Sequence, residues 1–243
     1  MNRYLKLVVM ELYRIRILYG ALVLVIFIAQ FGGLIYHLNG WMSGVRRMMA
    51  VQMIKTYAEY LKNHGNSLSF GMAVSRANLW FTGTVLIGIV ALVGYVFFIW
   101  YRDWVGKNTF AYRLLMLPGN RMNLFWAKLT AIMLLVLGLV ACQIALIPLQ
   151  IRLFNQMIPA ELAITETTFA FIRHHELFRI LIPPTFLEFV LYYGAGLLGV
   201  TVAFTAILFE RSFRLKGLAG GIAYAVAVGI AVVSPTVTDY GTG

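Results

Sequence analysis

Long runs without a charged residue constrain this chain more than any other feature. Five of them are long enough to cross a bilayer, and they cover residues 17–45, 77–101, 129–151, 189–209 and 217–238. A span needs about 20 apolar residues, because a helix rises about 1.5 Å per residue and the hydrocarbon layer is about 30 Å thick. Backbone groups in lipid must bond within their own segment, so each run is expected to be a helix. We therefore predict an all-α membrane protein, a polytopic bundle of about five spans.

The composition excludes the other broad classes of protein. Hydrophobic residues make up 61 % of the 243 residues and charged residues 12 %, whereas soluble domains carry about 45–50 % apolar and about 25 % charged residues. Disordered chains need low hydrophobicity, and disulfide-built scaffolds need many cysteines. This chain has one cysteine, Cys142, which lies in the third run.

We predict a single transmembrane domain over residues 1–243. Its predicted spans are 17–36, 79–101, 129–149, 187–209 and 217–236. Outside the spans we expect an interfacial helix at 1–16, extracytoplasmic loops at 37–78 and 150–186, and a cytoplasmic loop at 102–128. The apolar but charge-interrupted run within 150–186 gives a sixth crossing if it is counted as a re-entrant piece.

The distribution of Lys and Arg predicts the orientation. Segments 1–16, 102–128 and 210–216 are short and rich in these residues, so the positive-inside bias places the N-terminus in the cytoplasm. We expect a multi-pass protein of the bacterial plasma membrane.

The net charge of +11 is carried beside the span ends and not on a compact basic domain. Anionic lipid headgroups, and not nucleic acid, are therefore the expected partner of these cations.

Two segments show apolar residues at helical spacing. In residues 1–16 they are Leu5, Val8, Val9, Leu12 and Ile15. In the loop 37–78 they are Ala50, Ile54, Tyr57, Ala58 and Leu61, and residues 63–69 are expected to end that helix. Both patterns predict amphipathic helices that lie in the membrane interface.

Few residues are candidates for chemistry. Glu188, at the start of the fourth span, either faces a pathway or reaches the headgroups. The neighbouring His174, His175 and Glu176 lack the spacing of a metal site, because adjacent residues point to different sides of a helix. A ridge of small residues at intervals of four predicts close helix packing in the fifth span. It consists of Gly217, Gly221, Ala225 and Gly229.

The motifs of energy conversion are not found in the sequence. The only Gly-Lys pair, Gly106-Lys107, lacks the rest of a phosphate-binding loop. The predicted spans also contain no Asp, Glu, Lys or Arg near their middle, as proton-coupled transport usually requires. We expect no intrinsic catalytic site and no cofactor in this chain, and we expect energy to come from outside it.

The loop 102–128 resembles a known type of connection. The segment YRDWVGKNTFAYRLLMLPGNRMNLFWAK (101–128) is similar to the cytoplasmic loop of type-2 ATP-binding-cassette exporter permeases, in which a short helix ends in a Leu-Pro turn. A basic residue follows the turn, and a Lys, here Lys128, opens the next span. The positions that match, or that form the turn and its charged flanks, are Arg113, Leu114, Leu115, Leu117, Pro118, Gly119 and Arg121. Family members usually have six spans, whereas this sequence shows five.

The resemblance implies a permease subunit of an ATP-driven exporter. Separate cytoplasmic ATPase subunits, which would carry the ATP and Mg²⁺, would dock at residues 107–122. A second permease subunit, identical or homologous, would complete the pathway. The cargo would be a hydrophobic or amphipathic peptide, lipid or drug.

Two other classes remain open on the sequence. A non-transport accessory or immunity protein that binds a peptide at the outer surface would account for the long outer loops. An intramembrane enzyme acting on lipid would need a reactive group, and the residues close enough in sequence to supply one are His174, His175, Glu176 and Glu188.

Overall fold

The computed structural model describes residues 3–104 and 122–213, and these residues are almost entirely helical. The long helices are α1 (Arg3–Val51), α4 (Asn78–Trp104), α5 (Met122–Met157) and α8 (Phe186–Phe213). The short helices are α2 (Tyr57–His64), α3 (Phe70–Arg76), α6 (Thr168–His174) and α7 (Glu176–Leu181). Two short strands, β1 (Leu68–Ser69) and β2 (Ala163–Ile164), complete the fold. The all-α prediction is confirmed for this part of the chain.

Four of the described helices are long and apolar enough to cross a membrane. The qualifying segments are Tyr4–Val51, Asn78–Arg102, Met122–Met157 and Phe186–Glu210. The predicted spans 79–101, 129–149 and 187–209 each lie within one of these segments, and 17–36 lies within the first. The predicted fifth span, 217–236, is outside the described residues.

Helix α1 is longer than the sequence predicted. Its 49 residues form one helix of about 70 Å that includes the expected interfacial segment 1–16, the span 17–36 and the first part of the expected loop. Residues 3–16 are therefore continuous with the helix of the predicted span, and their location in the membrane interface stays a prediction. The helix also continues past residue 36 into the predicted loop 37–78. The physical reason is that this stretch contains no proline to remove a hydrogen bond, and its glycines weaken a helix without breaking it.

The amphipathic helix predicted around residues 50–61 is interrupted. Helix α1 ends at Val51, and Met53 adopts a left-handed conformation with φ 57°. The Ile54 N–H then donates to the Met49 carbonyl at 2.9 Å, a bond that closes the helix end. A new helix begins at Tyr57, because the Thr56 side chain accepts a hydrogen bond from the Glu59 N–H. It ends at His64, before Gly65 at φ 60°, as predicted for the 63–69 segment.

Helix α5 passes through Pro148 and continues to Met157. The sequence predicted that the span ends at 149 and that a loop begins there. Proline removes one helical hydrogen bond. The helix continues because residues on both sides of the proline, including Ile147 and Phe154, are buried in a well-packed core.

The charge-interrupted run in 150–186 forms the short helices α6 and α7 and not a crossing. Seven and six residues are far below the length that a bilayer requires. A hydrogen bond from the His175 N–H to the Phe171 carbonyl at 3.0 Å ends the first of them. Neither helix is long enough to cross a bilayer by itself, and a re-entrant course for this segment stays a prediction.

The chain divides into two compact units. Among the described residues, the first contains 3–14, 91–104, 122–135 and 190–213, and the second contains Ile15–Val90 and Val136–Phe189. In the second unit, the two segments predicted as outer loops fold together. Strands β1 and β2 pair in parallel, with Leu68 opposite Ala163.

The side chains of these two segments form a common core, here called the loop core. It is centred on four buried phenylalanines, and the ring of Phe171 lies 4.7 Å from that of Phe70 and 5.1 Å from that of Phe178. The buried members include Tyr60, Leu68, Phe70, Val74, Phe154, Leu162, Phe171 and Phe178. The Glu166 carboxylate adds a polar contact by accepting a hydrogen bond from the Gly71 N–H at 2.8 Å. The predicted loops are thus a folded structure.

Candidate functional site

The first unit contains a buried cluster of charges around Glu11. The side chain of Glu11, on α1, is 0 % exposed. Its Oε2 accepts a hydrogen bond from Arg102 Nη2 at 2.6 Å, and its Oε1 accepts one from Lys128 Nζ at 3.3 Å. Arg102 lies near the end of α4 and Lys128 near the start of α5, so one carboxylate joins three helices. We call Glu11, Arg102 and Lys128 the ion cluster.

Lys128 is held by more than its ion pair. Its side chain is 0 % exposed, and Nζ also donates to the Ile99 carbonyl at 2.8 Å. The ammonium lies 5.0 Å from the centre of the Trp100 ring, whose electron-rich face attracts a cation. Burying a charge is costly unless it is paired and hydrogen-bonded, and here both conditions are met.

The surroundings of the ion cluster are cationic and aromatic. Arg14 Nη1 lies 3.8 Å from Glu11 Oε1, so three basic side chains surround one carboxylate. The Arg102 guanidinium also lies 5.7 Å from the centre of the Phe98 ring. A second polar link in this unit runs from the Tyr101 hydroxyl, which donates to Glu210 Oε2 at 2.6 Å and joins α4 to α8.

The expectation that the cations beside the span ends contact lipid headgroups is wrong for Lys128, which is completely buried. Glu11 was not among the candidate residues predicted from the sequence. One signal was present: Glu11 is the only acidic residue before Glu59. The face of α1 that is buried consists of Val8, Glu11 and Ile15, whereas Leu5 and Val9 of the predicted apolar face are about half exposed.

The other predicted site residues fall in different places. The coupling positions Arg113, Leu114, Leu115, Leu117, Pro118, Gly119 and Arg121, and the packing ridge Gly217, Gly221, Ala225 and Gly229, lie outside the described residues. Glu188 is in the first turn of α8, where its N–H donates to the Thr185 hydroxyl at 3.3 Å. Its side chain is half-buried and makes no ion pair with any residue in the described ranges.

The histidine-rich segment is divided between two helices. Helix α6 ends at His174, and α7 begins at Glu176. The His175 ring packs against the rings of Phe171 and Phe178, with 5.4 Å between centres in both cases. Within residues 3–104 and 122–213, no three His, Cys, Asp or Glu side chains are grouped to hold a metal ion.

A second buried polar group lies in the second unit. Gln30 Nε2 donates to Thr84 Oγ1 at 3.0 Å and to Gln143 Oε1 at 3.1 Å, and Gln30 Oε1 accepts from Gln150 Nε2 at 3.1 Å. All four side chains are buried, and they come from α1, α4 and α5. Such hydrogen bonds between apolar helices fix their register, because a slip leaves polar groups without partners in lipid.

The ion cluster links the helices α1, α4 and α5 through paired charges. Its charges are paired with one another, and its three members hold the two ends of the segment 102–128 against α1. Searches of protein-family models, of curated proteins and of solved structures give no match to this chain.

Proposed function

We propose that this chain is the membrane-spanning subunit of an ATP-driven exporter that moves a hydrophobic or amphipathic cargo. Two observations support the proposal: the resemblance of residues 101–128 to a coupling loop, and the contacts of the ion cluster at both ends of that loop. Arg102 is the first residue of the predicted loop and Lys128 is the last, and both bond to Glu11. The ion cluster carries most weight, because its contacts come from the structure and not from a sequence pattern.

The ion cluster gives the loop a means of acting on the helices. A force applied to residues between 102 and 128 reaches α1 through two charged hydrogen bonds, which are stronger than neutral ones. The Ile99 carbonyl and the Trp100 ring hold Lys128 against α4. The first part of α1, the end of α4 and the start of α5 would therefore move together, as a switch between two arrangements requires. ATP and Mg²⁺ would be bound by partner ATPase subunits, and a second permease subunit would complete the pathway.

The test begins with the partner. The tagged full-length chain is purified from its native membrane in mild detergent, and the co-purified proteins are identified by mass spectrometry. We expect an ATPase with a phosphate-binding loop. Replacing Arg113 and Arg121 by Glu is expected to abolish its recovery, because a basic loop suits an acidic groove. Replacing Arg46 and Arg47 by Glu, on the predicted outer side, serves as the matched control.

The proposal also requires a functional consequence. In proteoliposomes that contain the complex, the Pro118→Ala and Arg121→Glu variants are expected to lose cargo-stimulated ATP hydrolysis, while the ATPase subunit alone keeps its basal rate. Failure to recover an ATPase from wild-type membranes, together with unchanged export in these variants, would reject the proposal.

A second candidate function is favoured by the loop core. The segments 37–78 and 150–186 fold around shared buried phenylalanines, and loops held on a rigid core often carry binding residues. An accessory or immunity protein that binds a peptide at the outer surface would use the loop core and would need no ATPase. The test is whether the chain protects cells against a toxic peptide when the predicted ATPase is absent. Protection in such cells would favour this candidate, whereas loss of protection would favour the exporter.

A further inference from the structure

An open cavity of about 580 Å³ lies beside α1 in the second unit. It combines a tyrosine, a tryptophan, a histidine, one arginine, two small polar residues and a glycine. Its lining consists of Tyr36, His37, Asn39, Gly40, Trp41, Ser43 and Arg76. Ligand sites usually have such a volume, with a few polar groups placed among larger apolar ones.

The sequence fixes the depth of this cavity relative to a bilayer. Tyr36 is the last residue of the first predicted span, and Arg76 immediately precedes the uncharged run 77–101. Both are therefore expected where the apolar runs end and lipid headgroups begin. Trp and Tyr are enriched at this depth, because their rings are apolar and their tips are polar.

Arg76 is the charged group of the cavity. It is exposed at the end of α3 and pairs with no carboxylate in the described part of the chain. A guanidinium presents donors in a planar fork that matches two oxygens of a phosphate. The cavity lining contains no acidic residue that would repel an anion.

The remaining lining groups suit the rest of a phospholipid headgroup. The Tyr36 side chain is 71 % exposed, and its ring meets that of His37 edge-on at 5.4 Å. Ser43 Oγ donates to the Gly40 carbonyl at 2.8 Å, which leaves its oxygen able to accept a hydrogen bond from a ligand hydroxyl. Exposed apolar residues of α1, including Ile28 and Ile35, continue from this level toward the hydrocarbon region.

We propose that this cavity binds the headgroup of an anionic membrane phospholipid. The phosphate bonds to Arg76, the polar alcohol group contacts Asn39 and Ser43, and the aromatic rings cover the glycerol region. The acyl chains lie along the exposed apolar surface of α1. Free phosphate shares the first of these contacts and lacks the others.

The site is tested by binding of a short-chain phosphatidylglycerol to the purified full-length chain in detergent, measured by native mass spectrometry. We expect Arg76→Ala to weaken binding about tenfold or more, since a hydrogen-bonded ion pair is lost. Arg47→Ala is the control, because Arg47 is exposed on α1 and does not line the cavity.

A second variant tests the cavity without removing a charge. Gly40 lines the cavity, and the space around its Cβ position contains no atom within 4 Å. Gly40→Leu is therefore expected to fold normally and to abolish lipid binding. Gly20→Leu is the matched control, because Gly20 also lies in α1 with open space around it and is distant in sequence from the cavity.

Three results would overturn the proposal. Binding of phosphatidylglycerol by Arg76→Ala and Gly40→Leu at wild-type strength would show that the lipid sits elsewhere. Inorganic phosphate that competes as strongly as the lipid would show a simple anion site. Equal binding of an uncharged diacylglycerol would show that only the apolar surface is recognised. Each of these results is independent of whether an ATPase partner exists.

Discussion

Replacing Glu11 by alanine is the most informative perturbation of the described structure. Glu11 and Lys128 are both 0 % exposed, so the variant leaves a buried ammonium without its carboxylate. Breaking a buried ion pair by removing one partner costs about 3–5 kcal/mol of folding free energy. Arg102 adds little to this cost, because its side chain is 23 % exposed and can turn toward water or headgroups. We therefore expect a loss of about 3–5 kcal/mol, with most of it due to Lys128.

The single cysteine supplies the assay. Cys142 lies in α5 and is partly buried, so a thiol-reactive fluorescent dye reports the unfolding of this helix in detergent. At about 2–4 °C per kcal/mol for a chain of this size, Glu11→Ala is expected to lower Tm by about 10 °C. Glu59→Gln is the control, because Glu59 is exposed on α2 and such surface changes stay within about 0.5 kcal/mol.

A double variant separates the ion pair from the local structure of α1. Glu11→Leu combined with Lys128→Met removes both buried charges and keeps their approximate volume. We expect the double variant to lose about 1–3 kcal/mol less folding free energy than the two single variants lose in sum. Strictly additive effects, or a Glu11→Ala variant that melts with the wild type, would refute the description of this cluster as a coupled buried pair.

Two further predictions concern helix contacts in the second unit, and the same thermal assay measures both. Gln30→Leu is expected to lower the free energy of unfolding by about 2 kcal/mol, because three buried hydrogen bonds are lost. Gln156→Leu, on the exposed face of α5, is the control and is expected to change stability little. Equal effects of the two variants would contradict the hydrogen bonds of Gln30. Gly33→Ala is expected to destabilise by about 1–3 kcal/mol, because its Cβ would overlap the Trp80 side chain. The adjacent Gly32→Ala, which meets nothing within 4 Å, is expected to be neutral or stabilising, and the opposite order would show that α1 and α4 do not approach at Gly33.

Structural features that depend on neighbouring residues were predicted from the sequence. Uncharged runs predicted helices at 79–101, 129–149 and 187–209, and each range lies within one helix. The end of α2 at Gly65 was also predicted, since a left-handed glycine is a local signal. Continuation through Pro148 was not predicted, because it depends on packing against residues distant in sequence.

The candidate site was only partly visible in the sequence. Lys128 was singled out by the resemblance, and Arg102 was counted as a cation beside a span. Neither was linked to Glu11, which is separated from Lys128 by 117 residues. Pairing over such a distance is decided by how helices pack, and a single sequence contains no periodicity that reports it. The same limit applies to the loop core, where Leu68 and Ala163 are neighbours only in the folded chain.

The sequence by itself determined that the chain forms helices long and apolar enough to cross a membrane, because span length and backbone hydrogen bonding are local requirements. Only the tertiary structure decided which charges are buried, which polar groups meet within the apolar helices, and that the segments 37–78 and 150–186 share a core. These outcomes depend on distances between residues far apart in the chain. The free energy of a buried charge or amide is set by the partner that packing brings to it.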